Sequence, residues 1–157
     1  MTTKIASSNV NTASVATLTA AQTLTNKTIG PTAEIITITA AAPAATTNFD
    51  LSTQAVQFYT SNATTNFTLN IRGSSGVTLN TLMTIGSSMS LVLVITVGTT
   101  AYYPSAFQID GVSVTPKWLG GTAPAATNAS TLSAYSLTIL KTAASTYTVL
   151  GSAAQFL

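Results

Sequence analysis

The chain has 157 residues, which is long enough for one domain with a hydrophobic core and too short for two. Only 5% of its residues are charged, its formal net charge is +2, and it contains no His and no Cys. Its few scattered cations form no basic stripe, so we expect no nucleic-acid binding, and a chain without Cys has neither disulfides nor thiolate metal sites.

The composition is 46% hydrophobic and rich in Thr and Ser, so hydroxyl groups replace charges on the polar surface. Thr is β-branched and favours strands. The uncharged stretch 73–109 has an unbroken apolar run only from Leu91 to Ile95, which is much shorter than a bilayer span. We therefore expect a β-rich protein without membrane insertion.

Residues 1–48 are poor in large apolar side chains, and those present are too widely spaced to build a core. No helical periodicity is visible. Pro43 lies in the segment AAAPAATTN, whose composition is typical of a linker. We predict an extended N-terminal arm and linker that becomes ordered only against a partner.

Residues 49–157 change to short alternating segments, the pattern of a separate knob domain. A first strand is predicted for VQF, with Gln57 on its wet face, and a second for FTLNIR. After the turn signal GSSG, a further strand is predicted from Val77 to Leu79. The segment MSLVLVITV is apolar on both faces, which indicates a central strand covered on both sides.

Two hairpins complete the predicted domain. Asp110-Gly111 separates the alternating runs FQI and VSV, a strong signal for a tight turn, and YSLTILK and STYTVLGS flank Thr142 to Ala144. Many short strands without a convincing helix predict an all-β fold. We predict an antiparallel β-sandwich of the jelly-roll kind over residues 49–157.

Acid–base catalysis and metal binding need side chains that this sequence nearly lacks. Of its three carboxylates, Asp110 is explained by the hairpin turn, whereas Glu34 and Asp50 lie in or near the arm. The Ser and Thr hydroxyls have no obvious base to activate them. We therefore expect no enzyme activity, no cofactor and no metal ion.

Tyr102, Tyr103 and Trp118 are the chemically distinctive residues that remain. All three lie where predicted strands pass into loops, and exposed aromatic rings can stack on sugars. They are therefore candidate contacts for a host surface glycan. The competing interpretation is that Trp118 packs at the rim of the domain or in a subunit contact, because burying a large ring contributes more than burying a Thr.

The segment QTLTNKTI, residues 22–29, resembles a short motif of the fibre and appendage proteins of tailed bacteriophages. The C-terminal part, residues 117–157, resembles the terminal β-domain of such proteins, notably those of phages that infect cyanobacteria. It contains the loop Trp-x-Gly-Gly-x-x-Pro, a final hairpin and Gln-Phe near its end. The resemblance implies a virion protein, homotrimeric, whose terminal domain caps a shaft or contacts the host.

The motif occurs once and no repeating shaft follows it, which favours a short appendage or a decoration protein of the capsid or tail. We expect Leu24 and Ile29 to bury against a sister subunit or the particle. Asn26 and Thr28 are expected to satisfy backbone groups at a bend, with Lys27 facing solvent or a carboxylate. Two functions stay open: a structural virion protein fixed through residues 1–48, and a receptor-binding module that recognises host glycans.

Overall fold

A computed structural model describes residues 36–157, which form ten strands and a short helix. The elements in chain order are β1 (Thr37–Thr39), β2 (Thr46–Asp50), β3 (Val56–Asn62), β4 (Phe67–Arg72), α1 (Leu79–Leu82), β5 (Ser88–Thr96), β6 (Pro104–Ile109), β7 (Val112–Val114), β8 (Lys117–Trp118), a 3₁₀ turn (Leu119–Gly121), β9 (Leu132–Ala143) and β10 (Thr146–Phe156). The strands form a six-stranded sheet in the order β1-β3-β5-β9-β10-β8 and a four-stranded sheet in the order β2-β4-β6-β7.

The first six strands alternate between the two sheets, so the chain coils and adds one strand to each sheet per turn. Strands β1, β3 and β5 are parallel to one another, as are β2, β4 and β6, and β8 is parallel to β10. Antiparallel pairing is limited, within residues 36–157, to β5 with β9, β9 with β10, and β6 with β7. The prediction of an antiparallel jelly-roll sandwich is therefore wrong, because both sheets are mixed and the chain is mixed α/β-like.

One hydrophobic core lies between the sheets. Side chains from both sheets, together with Leu79 and Met83 at α1, belong to the same buried cluster. The predicted alternation of β4 is confirmed, since its three apolar side chains are all buried. The position of β5 inside its sheet is also confirmed, with every second residue from Leu91 to Ile95 buried and the residues between them half-buried.

Two strand predictions differ from the structure. In β3 it is Gln57 and Tyr59 that are buried, and Phe58 is only half-buried on the opposite side. The Gln57 amide nitrogen donates to the Tyr59 hydroxyl at 2.9 Å, whereas its amide oxygen has no hydrogen-bond partner among the described residues. The predicted strand Val77 to Leu79 is wrong as well, because Leu79 begins α1, with the Thr78 side chain accepting from the N–H of Thr81.

Both predicted hairpins are present, and the turn of the second lies slightly later in the chain than the predicted Thr142 to Ala144. Asp110 and Gly111 both have positive φ, 51° and 80°, and join antiparallel β6 and β7. This conformation suits a two-residue loop whose twist matches that of the flanking strands. The final hairpin joins β9 and β10 through Ala144 and Ser145.

The strands begin before the predicted domain boundary at residue 49. Both β1 and β2 start earlier. Strand β1 pairs with β3 in the six-stranded sheet, and β2 pairs with β4 in the four-stranded sheet. The part of the predicted arm that the structure describes therefore belongs to the two sheets. The rest of the predicted arm lies outside the described residues.

Candidate functional site

The outward side of the six-stranded sheet, called the apolar face below, carries a row of apolar side chains across five strands. The strand register places side by side Ile38, Phe58, Val94, Ala134 and Ala154. In β3, β5 and β9, the residues directly before and after each member of the row are buried. Because successive side chains of a strand point to opposite faces, the row itself points away from the core. Ile38 is 62% exposed.

Neighbouring rows of the apolar face combine small hydroxyl and aliphatic side chains. One row consists of Val56, Val92, Ser136 and Ser152, and another of Ser90, Thr138, Leu150 and Lys117. Among the described residues of this face, Lys117 on the edge strand β8 is the charged one. The face thus presents apolar and hydroxyl groups with almost no charge.

The outward side of the four-stranded sheet, called the polar face, has a different chemistry. One register row consists of Asn48, Asn70, Gln108 and Ser113. The Asn70 amide nitrogen donates to Asn48 Oδ1 at 2.8 Å. In the next row Arg72 donates from Nε to Asp50 Oδ1 at 2.6 Å, and this bond raises the pKa of Arg72 above its ordinary value. The polar face therefore holds amides and an ion pair where the other face holds aliphatic groups.

Two further charged residues serve the short helix α1, and one of them, Asp110, also lines a depression of about 360 Å³ beside Arg72. The Asp110 carboxylate accepts from the backbone N–H groups of Leu79 and Asn80 at 2.8 and 3.2 Å. At the other end, Lys141 Nζ donates to the carbonyls of Asn80 and Met83 at 2.5 and 2.8 Å. The Asp110 carboxylate thus pairs with N–H groups that are free at the start of the helix, and the Lys141 ammonium group pairs with carbonyls that are free at its end.

Sequence reasoning assigned Asp110 to a turn and gave Lys141 no role. A signal for Lys141 was present, because the alternation Tyr135, Leu137, Ile139 continues to it and places it on the buried side of β9. A lysine at such a position needs carbonyl or carboxylate acceptors. Which acceptors it finds depends on α1, which lies much earlier in the chain.

The structure places Trp118 at the edge of the core. Its ring lies edge-on to Phe107 of the other sheet, with 5.3 Å between the centroids and an interplanar angle of 62°. It also covers Gly151, where an added Cβ would lie 2.7 Å from the Trp118 ring. Trp118 therefore joins the two sheets and fills the space that Gly151 leaves open.

Tyr102 and Tyr103 are half-buried and pack against the core at the start of β6. The Tyr103 N–H donates to Asn66 Oδ1 at 3.1 Å, and its carbonyl accepts from the N–H of Phe67 at 3.3 Å. These contacts hold the loop before β6 against the start of β4.

A depression of about 440 Å³ lies where β8 meets the apolar face. It is lined by Lys117, Trp118, Leu119 and Leu150, together with Gly151 and small hydroxyl residues of β9 and β10. Leu119 is 83% exposed and Leu150 is 43% exposed. The depression thus extends the apolar face toward the Trp-x-Gly-Gly-x-x-Pro loop.

The remaining predicted site residues, Leu24, Asn26, Lys27, Thr28 and Ile29, lie outside the described residues. Within residues 36–157 no group of three or more Asp, Glu, His or Cys side chains could hold a metal ion. In the same range no helix has the length and apolar character to cross a bilayer. No family model, curated protein or solved structure matches the chain.

Proposed function

We propose that this chain is a non-enzymatic structural protein of a tailed-phage virion, a short homotrimeric fibre or decoration protein fixed to the capsid or tail through its N-terminal end. The apolar face carries this proposal. Its apolar and hydroxyl side chains extend over most of a six-stranded sheet, half-buried in the middle strands and exposed at Ile38 and Leu150, and surfaces of this kind serve contacts between proteins. The resemblance of residues 22–29 and 117–157 to phage fibre and appendage proteins supplies the virion context.

The chemistry of the apolar face favours contact with further copies of the same chain. A copy that meets this face brings no opposing carboxylates or cations to its centre, so no unpaired charge is buried there. Burial of the row from Ile38 to Ala154 would remove aliphatic surface from water, at about 25 cal/mol for each Å². The polar face, with the Asp50–Arg72 pair, would then stay in contact with solvent.

The described part of the chain begins at the edge of the apolar face. Strand β1 is the outermost described strand of the six-stranded sheet, and Ile38 lies at the end of the apolar row. Residues 1–35 precede this edge in the chain.

Immunogold labelling tests the virion assignment. An antibody raised against the purified full chain is expected to decorate particles from the phage that carries this coding sequence, at regular positions on the capsid or tail. Antibody pre-adsorbed with the purified chain is the control and should leave the particles bare. Absence of label on both intact and disrupted particles would contradict the proposal, as would cleavage of host envelope polysaccharide by the purified protein.

A further inference from the structure

The two edges of the apolar face have complementary shapes. At one edge, β1 carries Ile38, which points away from the core and is 62% exposed. At the other edge lies the depression of about 440 Å³ beside Trp118, called the Trp118 depression below. Among the described strands, β1 and β8 are the two ends of the six-stranded sheet. The exposed isoleucine and the depression therefore lie on the same face, at opposite edges.

The Trp118 depression has a fixed apolar lining. The Trp118 ring is held by its edge-on contact with Phe107 and by its contact over Gly151. Leu119 and Leu150 add aliphatic surface to the lining, and both side chains are exposed. Large apolar side chains around a pocket are typical of surfaces that bind another protein. The depression is therefore preformed, and an aliphatic side chain is the occupant that matches its lining.

Ile38 has the properties of such an occupant. It is held in place by β1, which pairs with β3 and sets Ile38 beside Phe58. A β-branched side chain has few rotamers, so it loses little conformational freedom when a contact buries it. Ile38 cannot reach the depression of its own chain, because β3, β5 and β9 lie between β1 and β10, with about 4.8 Å from strand to strand.

We propose that Ile38 of one copy of the chain inserts into the Trp118 depression of the next copy, between Leu119 and Leu150. This inference rests on the proposed trimer and specifies its contact. The contact is head-to-tail, because it joins opposite edges of two copies. Each copy gives its Ile38 to one neighbour and receives the Ile38 of the other. Three such contacts close a ring in which the three apolar faces line the inside.

The charges near this contact are compatible with burial. Strand β1 contains no charged residue, and Lys117 is the charged residue that lines the depression. Lys117 is exposed on the edge strand β8, so its aliphatic stem can cover apolar surface while its ammonium group stays in water. The contact therefore buries aliphatic and aromatic surface without an unpaired charge.

Engineered cysteine pairs in the full chain test the contact, since the native sequence contains no Cys. The test variant combines Ile38→Cys with Leu150→Cys, and the matched control combines Ile38→Cys with Val112→Cys. Val112 is 69% exposed on β7 of the other sheet, so a thiol there is accessible but lies away from the depression. Within one chain, positions 38 and 150 are too far apart for a disulfide, so a bond between them joins two copies.

On non-reducing electrophoresis we expect covalent trimers from the test pair, because each copy is joined to both of its neighbours, and mostly monomers from the control pair. If light scattering shows trimers but the test pair forms no more disulfides than the control, this inference is overturned and the trimer stands. Covalent dimers without trimers would also overturn it, since they indicate two copies face to face. A monomeric unmodified chain would contradict the proposed trimer as well.

Truncation of Ile38 gives a second measurement that needs no cysteine. Ile38→Ala should raise the concentration at which half of the trimer has dissociated at least about tenfold, because a side chain buried in a pocket contributes more than most others at a contact. Val112→Ala is the matched control, since it shortens an exposed β-branched side chain of the other sheet, and it should leave this concentration unchanged.

Both truncated positions are exposed, so both variants should keep the stability of the unmodified chain within about 0.5 kcal/mol. Light scattering over a dilution series measures the dissociation, and urea unfolding confirms that the variants are folded. Equal dissociation of Ile38→Ala and Val112→Ala would overturn the proposal.

Discussion

Tyr135 shows how a single buried side chain sets the response of this protein to alkaline conditions. Its side chain is fully buried between the sheets, and its hydroxyl has no hydrogen-bond partner among the described residues. Burial, with a smaller contribution from Tyr103, raises the pKa of Tyr135 above its ordinary value of 10.0. Burial also raises the pKa values of Tyr59 and Tyr147.

These shifts predict a loss of stability above about pH 10. There the unfolded chain releases tyrosine protons that the folded chain retains, so the free energy of unfolding falls by about 1.4 kcal/mol per pH unit for each such proton. Below pH 10 the tyrosines are neutral in both states and the contribution is fully present. Tyr135→Phe removes one of these protons, and its curve of stability against pH should fall less steeply.

Urea unfolding of the unmodified chain and Tyr135→Phe between pH 7 and pH 11 measures this difference. At pH 7 we expect the variant to unfold within about 1 kcal/mol of the unmodified chain, because the hydroxyl it loses is unpaired. Stability curves that stay parallel above pH 10 would contradict the prediction.

At the scale of an element, the short helix α1 depends on contacts with residues that are distant in the sequence. Four residues are too few for a stable isolated helix. It persists because Leu79 is buried in the core and because Asp110 and Lys141 bond its two ends. Both charges come from hairpins or strands that follow α1 in the chain, so the helix is stabilised by tertiary contacts.

Substitutions at Asp110 separate the carboxylate contacts from the turn. Asp110→Ala removes both acceptors and strains a residue with φ of 51°, so it should lower the free energy of unfolding by about 2–3 kcal/mol. Asp110→Asn keeps one acceptor and tolerates positive φ, so it should cost about 1 kcal/mol.

Asp110→Gly serves as the control for the turn, since glycine relieves the strain but supplies no acceptor. Urea unfolding gives the three stabilities, and amide exchange at Leu79 and Asn80 reports on α1 directly. Equal stabilities for Asp110→Ala and Asp110→Asn would show that the carboxylate contacts contribute nothing.

At the scale of the whole molecule, the two outer faces differ in kind. The apolar face has a continuous aliphatic row, while the polar face has amides and the Asp50–Arg72 pair. A charge placed on the apolar face should therefore disturb assembly, and the same charge on the polar face should not.

Ser136→Lys and Ser113→Lys test this difference as a matched pair of exposed serines. We expect the unmodified chain to have three times the chain mass of 16.0 kDa in light scattering. Ser136→Lys should be monomeric, because a trimer would bury three unpaired ammonium groups. Ser113→Lys should remain trimeric. A monomeric unmodified chain, or equal behaviour of the two variants, would contradict the assembly proposal.

The sequence alone determined those features that depend on neighbours along the chain. Alternation identified β4 as a strand with one buried side, because side chains of a strand point to opposite faces in turn. Asp110-Gly111 identified its hairpin, because few residue pairs accept two positive φ angles. The apolar run from Leu91 identified an interior strand.

Only the tertiary structure decided which strands pair and in which direction. Alternation looks the same in parallel and antiparallel strands, so nothing in VQFYTSN distinguishes pairing with β1 and β5 from a meander of hairpins. The inward position of Gln57 depends on the hydroxyl of Tyr59, and the place of Trp118 depends on Gly151 and on Phe107 of the other sheet. The apolar face arises in the same way, because its row joins residues from Ile38 to Ala154 that only long-range strand pairing places side by side.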